Sequence, residues 1–245
     1  MNVVILGGTK GIGRAIARRM AARGDRVFLL GRERADLEKS AADLGVRGEA
    51  GSAVGLATCD LAAPETFAPA LDAAASALGT IDTVVVTAAD FATQDVLEAD
   101  LDRTRRLLTT NFAHTIVFCE HARARLLPRG GTLCVVSSVA GDRGRKPVIL
   151  YGSAKAGLSY YLEGLDHKFR SAGLRVVCVK PGFVKTGMTT GLEPPPFAGE
   201  PDGVAADVVR AIDRGTPVVY TPWPWRFVML VIRHLPRAVM RRIGF

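Results

Sequence analysis

The sequence predicts an α/β protein with a doubly wound parallel sheet (Rossmann-like), in a single domain that ends in a basic amphipathic tail. Three observations predict this fold class. Short runs of continuous apolar residues recur along the chain, helix-length segments separate them, and a glycine-rich turn follows the first run. Continuous hydrophobicity over strand length is typical of strands buried on both faces of a parallel sheet. Regular alternation of strands and helices indicates right-handed crossovers between neighbouring strands.

The predicted elements alternate up to about residue 221. Six apolar runs of strand length lie at residues 2–8, 26–31, 54–60, 83–88, 132–137 and 175–179, and a seventh, at 217–221, is expected at the sheet edge. Helix-length segments lie between them at residues 13–23, 33–44, 64–78, 98–127 and 151–172. Residues 187–202 include three consecutive prolines, so we expect an irregular loop there. Without repeats or a linker, residues 1–221 are predicted to form one domain and residues 222–245 an extension.

Length and composition are those of an ordinary globular protein. The chain has 245 residues, of which 48% are hydrophobic and 23% charged, enough to bury a core without a disulfide or metal. The cysteines lie far apart in apolar segments and are predicted to be buried and reduced: Cys59, Cys119, Cys134 and Cys178. The sequence begins without signal-peptide features and contains no apolar run of about 20 residues. We therefore expect a cytoplasmic protein with no metal site.

Positive charge is concentrated in the C-terminal extension. Of the net charge of +8, residues 222–245 contribute five arginines and no acid, which leaves +3 for the rest. Aromatic and apolar residues alternate with these arginines from Trp223 to Ile232, a pattern that suits a helix at the headgroup level of an anionic membrane. Packing of the same segment on the body of the protein or on a partner subunit is an equal alternative. Pro236 is expected to interrupt the helix.

The glycine-rich turn after the first predicted strand has the sequence GGTKGIG. Glycines there permit a tight turn and let a pyrophosphate approach the N-terminus of the next helix. The turn supplies six predicted cofactor contacts: Gly7, Thr9, Lys10, Gly11, Ile12 and Gly13. An NAD site usually has an acid at the end of the second strand, but this chain has Gly31 followed by Arg32. Because Arg32, with Lys10 beside it, can bind a 2′-phosphate, we predict NADP(H) as the cofactor.

A second group of residues has the pattern of carbonyl chemistry. Ser138 follows the predicted strand 132–137, at the carboxyl edge where open α/β sheets bind ligands. Tyr151 and Lys155 are four residues apart and share one face of a helix. A nearby ammonium lowers the pKa of a tyrosine from its usual value of about 10. Tyr151 is therefore predicted to be a general acid toward a carbonyl oxygen.

These motifs occur in an order and spacing that resemble the single-domain short-chain dehydrogenase/reductase family, over residues 2 to about 221. The resemblance implies a dinucleotide-binding catalytic domain in which Tyr151 donates a proton, Ser138 positions the carbonyl and Lys155 binds ribose. It also implies that Asn111 holds a proton-relay water. Further cofactor contacts that it implies are Asp60, Leu61, Ala88, Pro181, Gly182, Val184 and Thr186, together with Tyr151 and Lys155.

One departure from the family pattern follows the fourth predicted strand. The family often has Asn-Asn-Ala-Gly there, whereas this chain has Thr-Ala-Ala-Asp at residues 87–90, so a stabilising asparagine is missing. The resemblance also implies a homodimer or homotetramer packed through the predicted helices 98–127 and 151–172.

Residues 137–145, 148–158 and above all 219–245 are similar to one subgroup of the family. That subgroup reduces the keto group of a polyprenyl-phosphoryl keto-pentose to the arabinose form, the second step of a 2′-epimerisation that supplies cell-wall arabinan. The similarity implies a lipid-linked ketone, contact with the inner face of the plasma membrane and a partner oxidase. Arg143 and Arg145, in the loop before Tyr151, are predicted to hold the phosphodiester, with solvated loop charge as the alternative.

An NADPH-dependent ketoreductase is the leading hypothesis. A reductase of a 3-oxoacyl thioester or small ketone would need no membrane-facing tail, so deletion of residues 223–245 should leave its turnover intact. A non-catalytic NADP(H)-binding regulator would be expected to have a broken Ser–Tyr–Lys set, which here is complete. Nucleic-acid binding has no supporting motif. The four histidines and Arg103, Arg105 and Arg106 are predicted to be structural or solvated.

Overall fold

The computed structural model describes residues 1–47 and 54–244. Their centre is a parallel sheet of seven strands in the order β3-β2-β1-β4-β5-β6-β7. The strands are β1 (Asn2–Leu6), β2 (Arg26–Gly31), β3 (Gly55–Thr58), β4 (Thr83–Val86), β5 (Gly131–Val136), β6 (Leu174–Pro181) and β7 (Val218–Thr221). The predicted doubly wound fold is confirmed, and the seventh strand lies at the edge as expected. Because the strand order reverses between β1 and β4, their carboxyl ends form the crevice in which such sheets bind ligands.

Helices cover both faces of the sheet. They are α1 (Gly11–Ala22), α2 (Arg34–Arg47), α3 (Phe67–Leu78), α4 (Gln94–Ala99), α5 (Leu101–Leu108), α6 (Thr115–Leu126), α7 (Ile149–Phe169), α8 (Pro201–Arg214), α9 (Pro224–His234) and α10 (Arg237–Arg242). On one face Phe67 and Phe118 pack edge to face at 5.5 Å between ring centres. On the other face, Ile16 of α1 and Val208 of α8 share the core with the sheet. These two layers pack on opposite faces of the sheet and hold in place the strands whose carboxyl ends form the crevice.

The sequence analysis omitted α8, although its signals are present. Pro201 occupies its first turn and Gly215 follows its end, an arrangement typical of helix termini. Val204, Val208 and Ile212, spaced four residues apart, face the core.

The single helix predicted over residues 98–127 is wrong in detail. The chain is extended at Asp100, whose carboxylate accepts the Arg103 N–H at 2.8 Å and so caps α5. Between α5 and α6 the helix widens into a π-helical segment, Thr109–His114, which contains Asn111. Such widened turns are frequent at functional sites.

The tail both packs on the body of the protein and exposes an apolar face. Trp225, Met229 and Ile232 of α9 are buried against Val139. The opposite face exposes Trp223, Phe227, Leu230 and Val231. The chain turns at Leu235 and Pro236 before α10, so the predicted interruption is confirmed. In the described part of the chain, no helix has the length and apolar character needed to cross a membrane.

All four cysteines are buried and free, as predicted. Burial raises the pKa of the Cys59 thiol to about 11 and that of Cys119 and Cys134 still further. These thiols therefore stay protonated and behave as small core hydrophobes.

Candidate active site

A cavity of about 1190 Å³ lies at the carboxyl ends of the strands. The predicted site residues that line it are Gly7, Thr9, Lys10, Gly11, Ile12, Gly13, Arg32, Asp60, Leu61, Ala88, Ser138, Arg145, Tyr151, Lys155, Pro181, Gly182, Val184 and Thr186. Two predicted site residues, Asn111 and Arg143, are not part of the lining. Residues from both ends of the sequence thus meet in one space, which is large enough for a dinucleotide and a substrate together.

The glycine-rich loop has the geometry of a diphosphate cradle. Gly7 has a φ of +91°, and a Cβ there would lie 2.6 Å from the Ala88 nitrogen. A Cβ at Gly13 would lie 2.2 Å from the Gly7 carbonyl oxygen. Helix α1 begins after Lys10 with no capping side chain and no acid in its first turn. Its first amides are therefore available to an anionic ligand, and the loop fits the dinucleotide that the sequence predicted.

Thr87 takes the place of the missing asparagine. Its hydroxyl lies 3.1 Å from both the Leu6 and Gly7 carbonyl oxygens, between which its proton is shared. The hydroxyl thereby joins the end of β4 to the glycine-rich loop. A threonine can therefore supply the cross-strand support that the sequence departure had put in question.

The predicted binding site for the 2′-phosphate contains two cations, Lys10 and Arg32, which lie in different surroundings. Lys10 forms an ion pair with Asp36 on the first turn of α2, with 2.8 Å between Nζ and Oδ2, and this pair lowers the pKa of Asp36. Arg32 is exposed at the end of β2, lines the cavity and forms no ion pair among residues 1–47 and 54–244. Lys10 lines the cavity as predicted but shares its charge with Asp36, so Arg32 is the cation without an acidic partner in the described part of the chain.

The segment after β6 closes the other side of the cavity. The Trp225 indole covers Gly182, where a Cβ would lie 2.1 Å from the ring, and its Nε1 donates to the Phe197 carbonyl at 3.0 Å. Thr186 lies beside Gly11, and its Cγ2 is 3.4 Å from the position that a Cβ would occupy there. Asp60, after β3, accepts the Ala62 N–H at 2.9 Å and so orders its own turn.

Ser138, Tyr151 and Lys155 meet at the centre of the cavity. Ser138 follows β5, and its Oγ accepts the Ala140 N–H at 3.0 Å. Tyr151 lies in the first turn of α7, and Lys155 follows one turn later with only 2% of its surface exposed. The Lys155 ammonium donates to the Val136 carbonyl at 3.0 Å and lies 5.8 Å from the centre of the Tyr151 ring.

The acidities of this group differ from the sequence prediction. Burial raises the pKa of Tyr151 to about 12, and its hydrogen bond with Ser138 opposes that shift. Burial lowers the pKa of Lys155 to about 8. The expected lowering of the Tyr151 pKa by Lys155 is absent from the chain alone, because desolvation dominates and the ammonium is directed at Val136. A neutral Tyr151 holds a proton at its Oη throughout the physiological pH range.

Asn111 acts on the backbone of another loop. Its Oδ1 accepts the Asp90 N–H and its Nδ2 donates to the Asp90 carbonyl, both at 2.7 Å. The side chain is 1% exposed, both of its polar ends bond to Asp90, and it is not part of the cavity lining, so the role in holding a proton-relay water stays a prediction. The clamped loop carries Phe91, whose ring meets Tyr151 edge on at 5.2 Å. Asn111 therefore positions the wall that faces Tyr151.

Three cationic side chains have partners that the local sequence did not reveal. Arg103 was predicted to be solvated, but it pairs with Asp90 at 2.7 Å and lines the cavity. Arg143 was predicted to bind substrate, but its Nη2 donates to the Leu235 carbonyl at 2.8 Å and anchors the tail. Lys146 likewise donates to the Arg241 carbonyl at 2.8 Å. In the sequence, the acidic residue Asp90 was the signal that could have indicated an ion pair with Arg103.

Comparison with known proteins agrees with this geometry. A family model of short chain dehydrogenases matches residues 1–196. An uncharacterized oxidoreductase of Mycobacterium tuberculosis is 35% identical over 244 residues, covering 98% of this chain and 96% of that protein. Carbonyl reductase family member 4 of Danio rerio is 31% identical over 189 residues, covering 77% and 78%. The structure of a short-chain type dehydrogenase/reductase from Mycobacterium ulcerans shares the fold, with a TM-score of 0.83 and 20% identity over 98% and 97% of the chains.

Proposed function

The chain belongs to the short-chain dehydrogenase/reductase family of oxidoreductases, and from that premise we propose that it is an NADPH-dependent ketone reductase. The observation that carries the proposal is the shared cavity, in which Ser138, Tyr151 and Lys155 face the glycine-rich loop and Arg32. The net reaction converts a ketone, NADPH and a proton into an alcohol and NADP⁺.

Different residues of the chain have separate roles in this reaction. A reduced nicotinamide, when bound, supplies the hydride. The first amides of α1 bind the diphosphate, and the Lys155 ammonium offers donors beside Tyr151. Tyr151 holds the proton at Oη and delivers it to the ketone oxygen, to which the Ser138 hydroxyl also donates. Phe91 and Trp225 are the apolar walls that exclude water from this point.

The test is oxidation of NADPH by the purified protein with a panel of ketones. The panel includes a polyprenyl-phosphoryl 2-keto-pentose in detergent, an acetoacetyl thioester and small ketones with and without charge. Turnover of at least one of them supports a reductase. NADPH binding without turnover of any ketone contradicts this proposal and favours a non-catalytic NADP(H)-binding regulator.

Arg32 is proposed to select NADPH over NADH by binding the 2′-phosphate. Replacing Arg32 by alanine is expected to raise KM for NADPH about 10- to 100-fold, because a hydrogen bond to a charged group contributes about 1.5–3 kcal/mol. Kinetics with NADH should be unchanged. The matched control is Arg34→Ala, since Arg34 pairs with Glu38 at 2.9 Å and lies outside the cavity lining. Equal changes with both cofactors would show that Arg32 does not read the phosphate.

A lipid-linked ketone is a narrower candidate, and the tail supports it. Helix α9 presents Trp223 and Phe227 with 69% and 58% of their surfaces exposed, next to Arg226. Its opposite face carries Trp225 into the cavity wall. An apolar, basic helix joined to the site suits a substrate held at an anionic membrane, such as the polyprenyl-phosphoryl keto-pentose of the subgroup resemblance. A partner oxidase would then form the ketone that this protein reduces.

Membrane contact can be tested without disturbing the cavity. Deletion of residues 223–245 cannot test it, because Trp225 lines the site. The double variant Trp223→Ala/Phe227→Ala instead removes only exposed rings. We expect its binding to phosphatidylglycerol vesicles to fall about tenfold or more, because two rings no longer insert beside the arginines. The measurement is vesicle co-sedimentation, with neutral phosphatidylcholine vesicles as the second lipid.

The exposed Val96→Ala variant is the control for this measurement, since Val96 lies on α4, outside both the tail and the cavity lining. Equal sedimentation of the wild type and the double variant, or none by the wild type, contradicts a membrane role.

We also propose a homodimer or homotetramer assembled through α5, α6 and α7. Apolar side chains on these helices and the π-helical segment are exposed, including Leu101, Phe112, Val117 and Tyr160. Such a row suits a helix-to-helix interface between copies. Sedimentation velocity measures the assembly directly, and a monomer at micromolar concentration would contradict this proposal.

A further inference from the structure

Arg145 lines the cavity and has no role in the proposed reaction. It lies in the segment between β5 and α7, six residues before Tyr151, and both residues line the same cavity. Its Nε is buried and has no hydrogen-bond partner among residues 1–47 and 54–244. In the described part of the chain, Arg145 also forms no ion pair. Arg145 as a whole is half-buried, and a guanidinium with a buried N–H that has no acceptor is stabilised when an anion meets it.

The segment that carries Arg145 is fixed on both sides. Asp142 accepts the Lys180 ammonium at Oδ1 and the Tyr220 hydroxyl at Oδ2, both at 2.6 Å. Arg143 and Lys146 donate to backbone carbonyls of the tail. Arg145 is thus held between anchored neighbours. The nearest acid, Asp142, uses both of its oxygens elsewhere and leaves Arg145 without a hydrogen-bonded counterion.

The other cations of this wall have partners. Arg103 pairs with Asp90 and Lys10 with Asp36, while the Lys155 ammonium donates to the Val136 carbonyl. Arg105 and Arg106 also line the cavity, and they lie 3.6 Å and 3.9 Å from the carboxylates of Asp102 and Asp100. Arg32 is available, but it follows β2, three strands away from β5 in the sheet order. At about 4.8 Å per strand that separation is about 14 Å, so the two arginines serve opposite ends of the cavity. Arg145 belongs to the end that contains Ser138 and Tyr151.

We infer that Arg145 binds an oxyanion, a carboxylate or a phosphate, carried by the ketone substrate. The inference rests on the proposed ketone reduction and adds the class of ketone. A planar guanidinium offers parallel N–H donors that match two oxygens of such a group. Burial lowers the pKa of Arg145 and the nearby Asp142 raises it, so the site favours an anion that completes the pairing. The substrate then places its oxyanion at Arg145 and its ketone oxygen at Tyr151.

The first experiment compares Arg145→Gln with wild type on matched ketones. The pairs are dihydroxyacetone with its phosphate, and ethyl acetoacetate with acetoacetate, so that the phosphate and carboxylate arms are separate. We expect kcat/KM for the charged member of at least one pair to fall tenfold or more, with the neutral member changed less than twofold. Arg143→Gln is the matched control, because Arg143 lies in the same segment but outside the cavity lining. Equal losses on neutral and charged ketones overturn the inference.

The second experiment separates this inference from the proposed function. Inorganic phosphate and acetate are titrated by calorimetry into wild type and Arg145→Gln, each saturated with NADP⁺ so that the cofactor's own anion sites are filled. Weaker binding of either anion by the variant, tenfold or more, supports Arg145 even if no ketone in the panel is reduced. Identical titrations of the two proteins, including no binding by either, overturn it. Failure of every ketone with a positive titration would instead remove the proposed reduction and keep the anion site.

Discussion

Replacing Tyr151 by phenylalanine is expected to lower kcat for ketone reduction about a thousandfold or more, within the range of a lost general acid. The substitution removes one oxygen and keeps the ring, so the edge-on contact with Phe91 is retained. Because Tyr151 remains neutral until about pH 12 in the chain alone, its hydroxyl is the proton source across the physiological range. The measurement is steady-state NADPH oxidation with the best ketone of the panel, together with NADPH binding by fluorescence.

NADPH affinity of the Tyr151→Phe variant should remain within about twofold of wild type, because the diphosphate and 2′-phosphate contacts lie elsewhere. The matched control is Tyr160→Phe on the same helix, whose hydroxyl is exposed and outside the cavity. Retention of more than a tenth of wild-type kcat by Tyr151→Phe would falsify the role of Tyr151 as proton donor. A parallel loss of NADPH binding would point to collapse of the cavity.

Local sequence was sufficient to predict the sheet and the residues at its centre. The strands are continuous apolar runs, and the site residues directly follow their ends, as Ser138 follows β5. Tyr151 and Lys155 share a helix face because of spacing alone. Each of these inferences needed only neighbours in sequence and the rule that parallel strands carry ligands at their carboxyl ends.

Side-chain partners between distant segments could not be predicted in the same way. Arg143 and Arg145 are two residues apart and have the same chemistry, but Arg143 reaches the carbonyl of Leu235, 92 positions away, and Arg145 faces the cavity. For Trp225 the sequence left membrane contact and packing on the body as equal alternatives, and its packing against Gly182 makes it part of the site. These outcomes depend on how the tail folds back over the sheet, which no local pattern encodes.

Burial also reversed the predicted shift of the Tyr151 pKa, which would hold for side chains exposed to water. A lysine one turn from a tyrosine lowers the pKa of that tyrosine when both are solvated. Here Lys155 is almost fully buried and its ammonium is held by Val136, so desolvation controls both groups. The sequence predicts that Tyr151 and Lys155 lie close together, but the direction in which their pKa values shift depends on their burial in the structure.

Replacing Lys155 by methionine is expected to lower kcat/KM for ketone reduction a hundredfold or more, the lower range for a lost acid–base group, while leaving the fold at least as stable at pH 7. Methionine fills a similar volume without a charge, so the cost of burying an ammonium disappears. The substitution leaves the Val136 carbonyl without its hydrogen-bond donor, and this loss offsets part of the gain in stability. Wild-type kcat/KM should itself fall as the pH rises through about 8, because the ammonium then loses its proton. The control is Lys168→Met, an exposed lysine on the same helix.

The sign of the stability effect distinguishes a functional lysine from a structural one. The Lys155 pKa is about 8 in the folded chain against 10.5 for the free group. Below pH 8 both states hold the proton, and wild type bears the full burial cost. Between pH 8 and 10.5 the unfolded chain binds more protons, so wild-type stability rises relative to Lys155→Met. Urea unfolding at pH 7 and pH 10 should therefore show the variant's advantage shrinking at the higher pH. A variant that is less stable at pH 7, with activity lost only in proportion to the unfolded fraction, would make Lys155 a structural residue.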